Sequence, residues 1–250
     1  METLHRRVIT QLGERICSGD IPPGGLLPPE PALAQQYDVS RITIREAVKG
    51  LSAKGMLAVR RKLGTIVLPR SEWQLFDPDV MRWRAATGAV DARLFADLLE
   101  LRRLIEPAAA RMAATRATDE DRAALRSAYD AMARAVDGDG DYVPADVAFH
   151  GVVLKACRNQ FVQQMQNAMS AILQASFDIG MKAHGAASRS LPMHEDLCIA
   201  IEAKDPDASA AAALSVLRQA ESDLEQHFGL LTAEASHSPK ENVKISNEVD

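Results

Sequence analysis

One stretch of this chain leaves helical periodicity, and it follows directly on two short helices separated by a tight turn. Residues 56–68, MetLeuAlaValArgArgLysLeuGlyThrIleValLeu, read as a two-strand hairpin. Val59 leads into the basic turn Arg60–Arg61–Lys62, Gly64 permits a tight backbone, and Ile66–Val67–Leu68 return. Ahead of it a helix starts near Glu30, with Leu33, Ala34 and Tyr37 on its apolar side, and Asp38–Val39–Ser40 breaks it. Ser40 is placed to cap the next helix, 41–54, which Gly55 ends. An earlier helix, 4–19, carries Leu4, Val8, Ile9, Leu12 and Ile16 on one face and stops at Gly19, before a turn or short extended piece at 21–25. Together these predict a winged helix-turn-helix, three helices plus a β-hairpin wing, over residues 1–70.

Charge separates this segment from the rest. Residues 1–70 hold 11 Lys+Arg against 6 Asp+Glu, whereas residues 71–250 hold 18 against 28. A basic front on an acidic body fits local attraction to a polyanion by a protein that is acidic overall. No apolar run is long enough to span a bilayer, and MetGluThrLeuHisArgArg has no secretory apolar core, so a cytoplasmic location is expected. Cys17, Cys157 and Cys198 lie far apart with no CxxC pair, and are expected as reduced, buried thiols.

Residues 71–92 read as a connector, with Trp73, Phe76 and Trp83 expected to pack at the domain junction. From Leu94 onward the pattern is helical, with helices near 93–115, 119–137, 142–157, 160–183, 189–203 and 206–230. An all-α domain is therefore expected over 93–232, Ala-rich and without β-branched runs. Thr118 followed by AspGluAsp is a capped helix start. Asp137–Gly138–Asp139–Gly140 lacks the glutamate spacing of a calcium loop and is read as a plain loop. The polar, aperiodic residues 233–250 are expected to be a disordered tail.

The informative segment of the first domain is SerArgIleThrIleArgGluAlaVal, 40–48. Arg41 and Arg45 are four apart on one helix face, where guanidinium forks can reach guanine edges, while Ile42, Ala47 and Val48 are expected to pack inward. Ser40 and Thr43 can reach phosphates near the helix N-terminus, and Gly64 lets the wing approach a duplex closely. GlyGlyLeuLeuProProGluProAlaLeuAla (24–34), ValSerArgIleThrIleArgGluAla (39–47) and the LysGlyMetLeu that follows resemble the GntR family winged helix over residues 4–68. The resemblance implies DNA contacts at Arg41, Arg45 and Gly64, and at Thr65. Many members have Arg after the glutamate matching Glu30; Pro31 stands here, which implies a different operator preference.

Within the second domain, Asp146 and His150 stand four apart on one helix face, a carboxylate and an imidazole suited to a first-row divalent cation, and His194 is a third candidate. LeuLeuGluLeuArgArgLeuIleGluProAlaAlaAlaArgMetAlaAla (98–114) and ArgAlaThrAspGluAsp (116–121) resemble the FCD ligand-binding domain of the FadR-type subfamily over residues 94–228. The resemblance implies a divalent metal such as zinc, nickel or manganese on Asp146, His150 and His194. Val216 stands where family members place a further histidine, so the same residues can instead form a plain hydrogen-bonding pocket for hydroxyls. It also implies that Arg102 grips an effector carboxylate through two parallel bonds, with Glu106, one turn on, as the alternative partner, and that Arg103 points to solvent. ProArgSerGluTrpGlnLeuPheAspProAspValMetArgTrp (69–83) is similar to repressors of galactonate catabolic operons, which implies an aldonate or related sugar acid as effector.

The expected whole is a non-enzymatic, homodimeric repressor on a short inverted repeat of double-stranded DNA. Rival readings are a GntR-type regulator answering to another small carboxylate or to a metal ion alone, and a metal-dependent enzyme with a DNA-binding module. No separate general base or catalytic loop signature accompanies the acid–imidazole cluster.

Overall fold

The protein is described by a computed structural model over residues 3–87, 92–166, 170 and 185–228. Helix α1 (Leu4–Ser18) begins at the Thr3 cap and ends where Gly19 turns left-handed, at φ 90°. Helices α2 (Glu30–Tyr37) and α3 (Arg41–Ala53) follow, separated by Asp38 in the left-handed region and Val39–Ser40. Strands β1 (Leu57–Arg60) and β2 (Gly64–Val67) pair antiparallel, with Leu57 opposite Val67 and Arg60 opposite Gly64. Leu26, just after the turn or short extended piece expected at 21–25, adds an isolated bridge to Ile66 that extends the wing.

One core unites these elements. Val8, Leu12 and Ile16 of α1 meet Ile44, Ala47 and Leu51 of α3, Leu33 of α2, and Leu57 and Val67 of the hairpin. The buried stripe of α3 is Ile44, Ala47, Val48 and Leu51. Ile42 does not join it: the side chain is 73% exposed, against the inward packing expected of it. At 100° per residue, position 42 falls nearly opposite the stripe running through 44, 47, 48 and 51.

The connector holds a helix that the sequence reading missed, α4 (Pro78–Ala86), capped by Asp77 with Pro78 in its first turn. It packs on α1. Trp73 and Trp83 are buried, but inside the N-terminal core rather than at a junction, and Phe76 is exposed. Met81 on α4 is the residue that meets the second domain, through Leu98 and Leu94.

That second domain consists of α5 (Ala92–Arg116), α6 (Asp119–Val136), α7 (Tyr142–Ala156), α8 (described over 160–166), α9 (Ala186–Glu202) and α10 (Pro206–Phe228). The remainder of the helix expected to 183 and the tail expected at 233–250 lie outside the described residues. Thr118 and Asp121 form a reciprocal capping box at the start of α6. Helix α10 packs on α5 and α9, and α6 on α7, around Phe149, Leu125, Met132, Leu197 and Ile201. Alanines 109, 110, 113 and 114 line the buried side of α5, so neighbouring helices approach it closely. All three cysteines are buried and unpaired. Among the described residues no helix is long and apolar enough to cross a membrane.

Gly13 marks the tightest contact between α1 and α4. A Cβ there would lie 2.3 Å from Cε3 of the fully buried Trp83. Gly13→Ala is expected to destabilise the protein by about 1–3 kcal/mol through overpacking. Urea unfolding would show this as a lower midpoint, and an unchanged midpoint would mean that the indole has room to retreat.

Candidate functional site

Two groups of polar residues stand apart from the cores. The first lies on α3 and the wing. Ser40 is an extended N-cap whose Oγ accepts from the Thr43 amide at 3.1 Å and lies 2.9 Å from Thr43 Oγ1. Arg41 opens the capped helix and Arg45 follows one turn on, both exposed, outside the buried stripe. Arg45 donates through Nε and Nη2 to the two carboxylate oxygens of Glu30 on α2, at 3.3 and 2.9 Å. Those hydrogen bonds hold the Glu30 carboxyl below its usual range. The pair is exposed and screened by solvent, so it is readily exchanged for a phosphate or a base edge. Glu30 was not foreseen as this partner, because 15 residues separate it from Arg45 and only the helix-turn-helix crossing joins them. On the wing, Gly64 is exposed at φ 102°, a conformation only glycine adopts freely, and Thr65 is half-buried beside it. Arg60, Arg61 and Lys62 are exposed at the tip.

The second group is buried, and it joins α5, α7 and α9. Asp146 and His150 lie one turn apart on α7, and His194 is on α9; all three are at most 5% exposed. His194 Nε2 lies 3.2 Å from Asp146 Oδ1 and 3.4 Å from His150 Nε2. One donor atom from each of the three residues lies within 4.8 Å of the others. The outer ring nitrogens are engaged elsewhere. His150 Nδ1 lies 3.2 Å from Glu106 Oε2, and His194 Nδ1 lies 2.9 Å from the Ser190 carbonyl oxygen. A carbonyl only accepts, and Glu106 is ionised, so each Nδ1 carries the proton. Each ring then turns its Nε2 toward the other and toward Asp146. The rings stand edge-on to Phe149, which seals that side.

Arg102 completes the network. It is buried, and it donates to Glu106 through Nε at 2.5 Å and Nη2 at 3.4 Å. Of the two partners considered from sequence, Glu106 is the one it holds here. Burial opposes ionisation of Glu106, but Arg102 and then His150 outweigh it and keep that carboxyl well below the usual range. Burial likewise opposes ionisation of Asp146, and His150 and His194 reverse it. Burial pushes the His150 imidazole down, yet Glu106 and Asp146 together raise it. Two buried carboxylates therefore face one buried guanidinium, and the cluster has room for one further positive charge: a proton on His150 or a cation between the three residues. Asp146 Oδ2 points to the same conclusion. Among the described residues it is buried without a hydrogen-bond partner, 3.7 Å from His150 Nε2. Two imidazole nitrogens and a carboxylate oxygen suit a first-row divalent metal. Val216 on α10 is buried and offers no donor. Arg103, expected to face solvent, is half-exposed but donates to Glu221 on α10 at 2.5 Å.

Comparison with known proteins matches both halves of the chain. A profile described as bacterial regulatory proteins, gntR family, matches residues 4–67, and one described as FCD domain matches residues 97–219. The Galactonate operon transcriptional repressor of Escherichia coli (strain K12) is 35% identical over 212 residues, 84% of this chain and 92% of its own. The Uxu operon transcriptional regulator of the same organism is 36% identical over 146 residues, 57% of this chain and 54% of its own. Among solved structures, that of Lar from Listeria monocytogenes superposes with a TM-score of 0.66 at 18% identity, over 90% of this chain and 98% of its own, a likeness of fold.

Truncating one partner of the buried ion pair strands the other. Glu106→Ala is expected to cost about 3–5 kcal/mol, because Arg102 is left without a counter-charge. The double variant Arg102→Leu/Glu106→Leu should lose less than the sum of the two leucine singles in urea unfolding. Strict additivity would argue against the pairing.

Proposed function

The chain belongs to the GntR family of bacterial regulatory proteins and carries an FCD domain, which makes it a DNA-binding transcriptional regulator, not an enzyme, and from that premise we propose that it is a cytoplasmic, homodimeric repressor whose grip on an operator is controlled by a sugar acid bound at the Arg102–Asp146–His150–His194 cluster. An aldonate such as galactonate is the proposed effector. The observation that carries this reading is the buried convergence of donors beside an arginine. Within the described hydrogen bonds, the Arg102 guanidinium uses Nε and Nη2 on Glu106, which leaves Nη1 to take a carboxylate oxygen. Asp146, His150 and His194 then face the hydroxyl-bearing end of the same molecule. The 35% identity to a galactonate operon repressor over most of both chains supports the aldonate class.

The residues present fit a divalent cation such as zinc, nickel or manganese, which Asp146, His150 and His194 would hold. Such an ion supplies a positive charge and open coordination positions for effector oxygens. The chain's own contribution is orientation. Glu106 and the Ser190 carbonyl fix both imidazole tautomers so that each Nε2 lone pair points inward. Val216, in place of a further histidine, favours a second reading in which His150 carries the extra proton and the cluster binds hydroxyls by hydrogen bonds alone.

At the other end, Arg41 and Arg45 read base edges in the major groove, Ser40 and Thr43 hold phosphates at the α3 N-terminus, and Gly64 and Thr65 bring the wing against the backbone. Two copies on a two-fold site, a short inverted repeat of double-stranded DNA, double these contacts. Effector and operator must then oppose each other equally. A tenfold loss of operator affinity requires about 1.4 kcal/mol of differential effector binding, within reach of a few polar contacts.

Arg41→Ala or Arg45→Ala is expected to abolish specific operator retardation in gel shifts while leaving effector binding intact; Arg102→Ala should retain operator binding but no longer release it on adding effector. Normal retardation by both α3 variants would displace the reading helix.

Thermal shift assays test the effector. Galactonate and related aldonates are expected to raise the midpoint with concentration. A chelator should diminish that shift if a cation is part of the site and leave it unchanged in the proton reading. No stabilisation by any aldonate, with or without divalent ions, would remove the sugar acid from this account.

A further inference from the structure

The exposed large apolar side chain of the reading helix is one that its residue type, though not its helical phase, would bury. Ile42 is 73% exposed, in the first turn of α3 between Arg41 and Arg45. Measured around the helix axis at 100° per residue, it lies roughly 170° from the centre of the buried stripe formed by Ile44, Ala47, Val48 and Leu51. Arg41 and Arg45 sit on its flank. Further along the same outward face, Glu46 and Lys49 are joined to each other at 2.8 Å. Ile42 is therefore the point of α3 that stands farthest from the domain body. It belongs to the turn capped by Ser40, whose Oγ accepts from the Thr43 amide.

A helix that docks with this face in a major groove puts Ile42 against the groove floor, while the flanking guanidinium groups reach base edges and phosphates. The floor is almost wholly polar. Its one apolar group is the C5-methyl of thymine. A β-branched side chain in a helix is nearly fixed at χ1, so burying it there costs little rotamer freedom and directs it to one base pair. A cytosine or a purine edge at that position would instead be dried against a hydrocarbon and lose hydrogen bonds to water.

We propose that Ile42 is a specificity-determining residue that reads the methyl group of one thymine in each half of the operator. The inference rests on α3 being the reading helix, and the test separates the two. An operator is selected from random duplexes with the purified full-length protein. Each dT is then replaced in turn by dU, which removes only the methyl. Binding of wild-type protein and of Ile42→Ala is measured at fixed salt. The wild type should weaken about four-fold at one position per half-site, the worth of one methyl group removed from water. Ile42→Ala, whose substitution is on the surface and leaves the core intact, should bind the unmodified operator more weakly and be indifferent to dU at that position. The proposal is overturned if no dU substitution weakens the wild type, or if Ile42→Ala responds to it as strongly as the wild type does. Arg41→Ala on the same selected operator reports on the premise. Loss of its binding together with indifference to dU overturns the Ile42 assignment alone, whereas undiminished binding overturns the placement of α3 and the assignment with it.

Discussion

The Glu106 carboxylate ties the regulatory half of the molecule together. It accepts from Arg102 one turn before it on α5 and reaches across to His150 on α7, which in turn faces Asp146 and His194 on α9. A charged group this deeply buried is tolerable only when fully engaged, so its partners must hold their positions. Helices α5, α7 and α9 are thereby set by polar geometry at their centre and by Phe149, Leu197 and the alanines of α5 around it. The cluster still leaves Asp146 Oδ2 without a hydrogen-bond partner among the described residues and sets two imidazole Nε2 atoms 3.4 Å apart. That incompleteness suits a site that gains stability when a ligand or cation arrives.

The same helix that carries Arg102 and Glu106 also meets the connector. Leu98, one turn before Arg102, packs on Met81 of α4. Helix α4 is bolted to the reading head in two ways. Trp83 fills the space over Gly13 on α1, and Asp77 and Asp79 hold Lys54, the residue that closes α3, at 2.7 and 3.0 Å. Gln74 adds hydrogen bonds to the carbonyl of Ala53 and, through its amide, to that of Lys54. The buried cluster and the C-terminal end of α3 are therefore linked through α5, the Met81–Leu98 contact and α4. Contiguity of this kind is the geometric requirement for two sites to share one free energy; the free energy itself belongs to the difference between two arrangements.

The sequence made some features legible because they are local. Ser40 before α3, Thr118 before α6 and Gly19 after α1 each act on backbone groups within a few residues, and each acts as read. The four-residue spacing of Asp146 and His150 likewise guaranteed a shared face. Ile42 was misassigned because its residue type outvoted its phase. Apolar residues are usually buried, but only positions 44, 47, 48 and 51 share the angle that faces α1. The tryptophans show the converse: their burial was evident from residue type, and their location was not, since α4 had to fold back onto α1 for Trp83 to pack over Gly13.

The sequence alone determined the order of elements, the winged head, the helical body and most of the polar residues that serve them, because caps, turns and periodicity act over one or two helical turns. Only the tertiary structure decided who meets whom. It brought Glu30 to Arg45 across a helix crossing, His194 to Asp146 across 48 positions of chain, and Glu106 of α5 to His150 of α7. Such pairings depend on how helices stack, and stacking is set by the summed packing of many side chains rather than by any local signal.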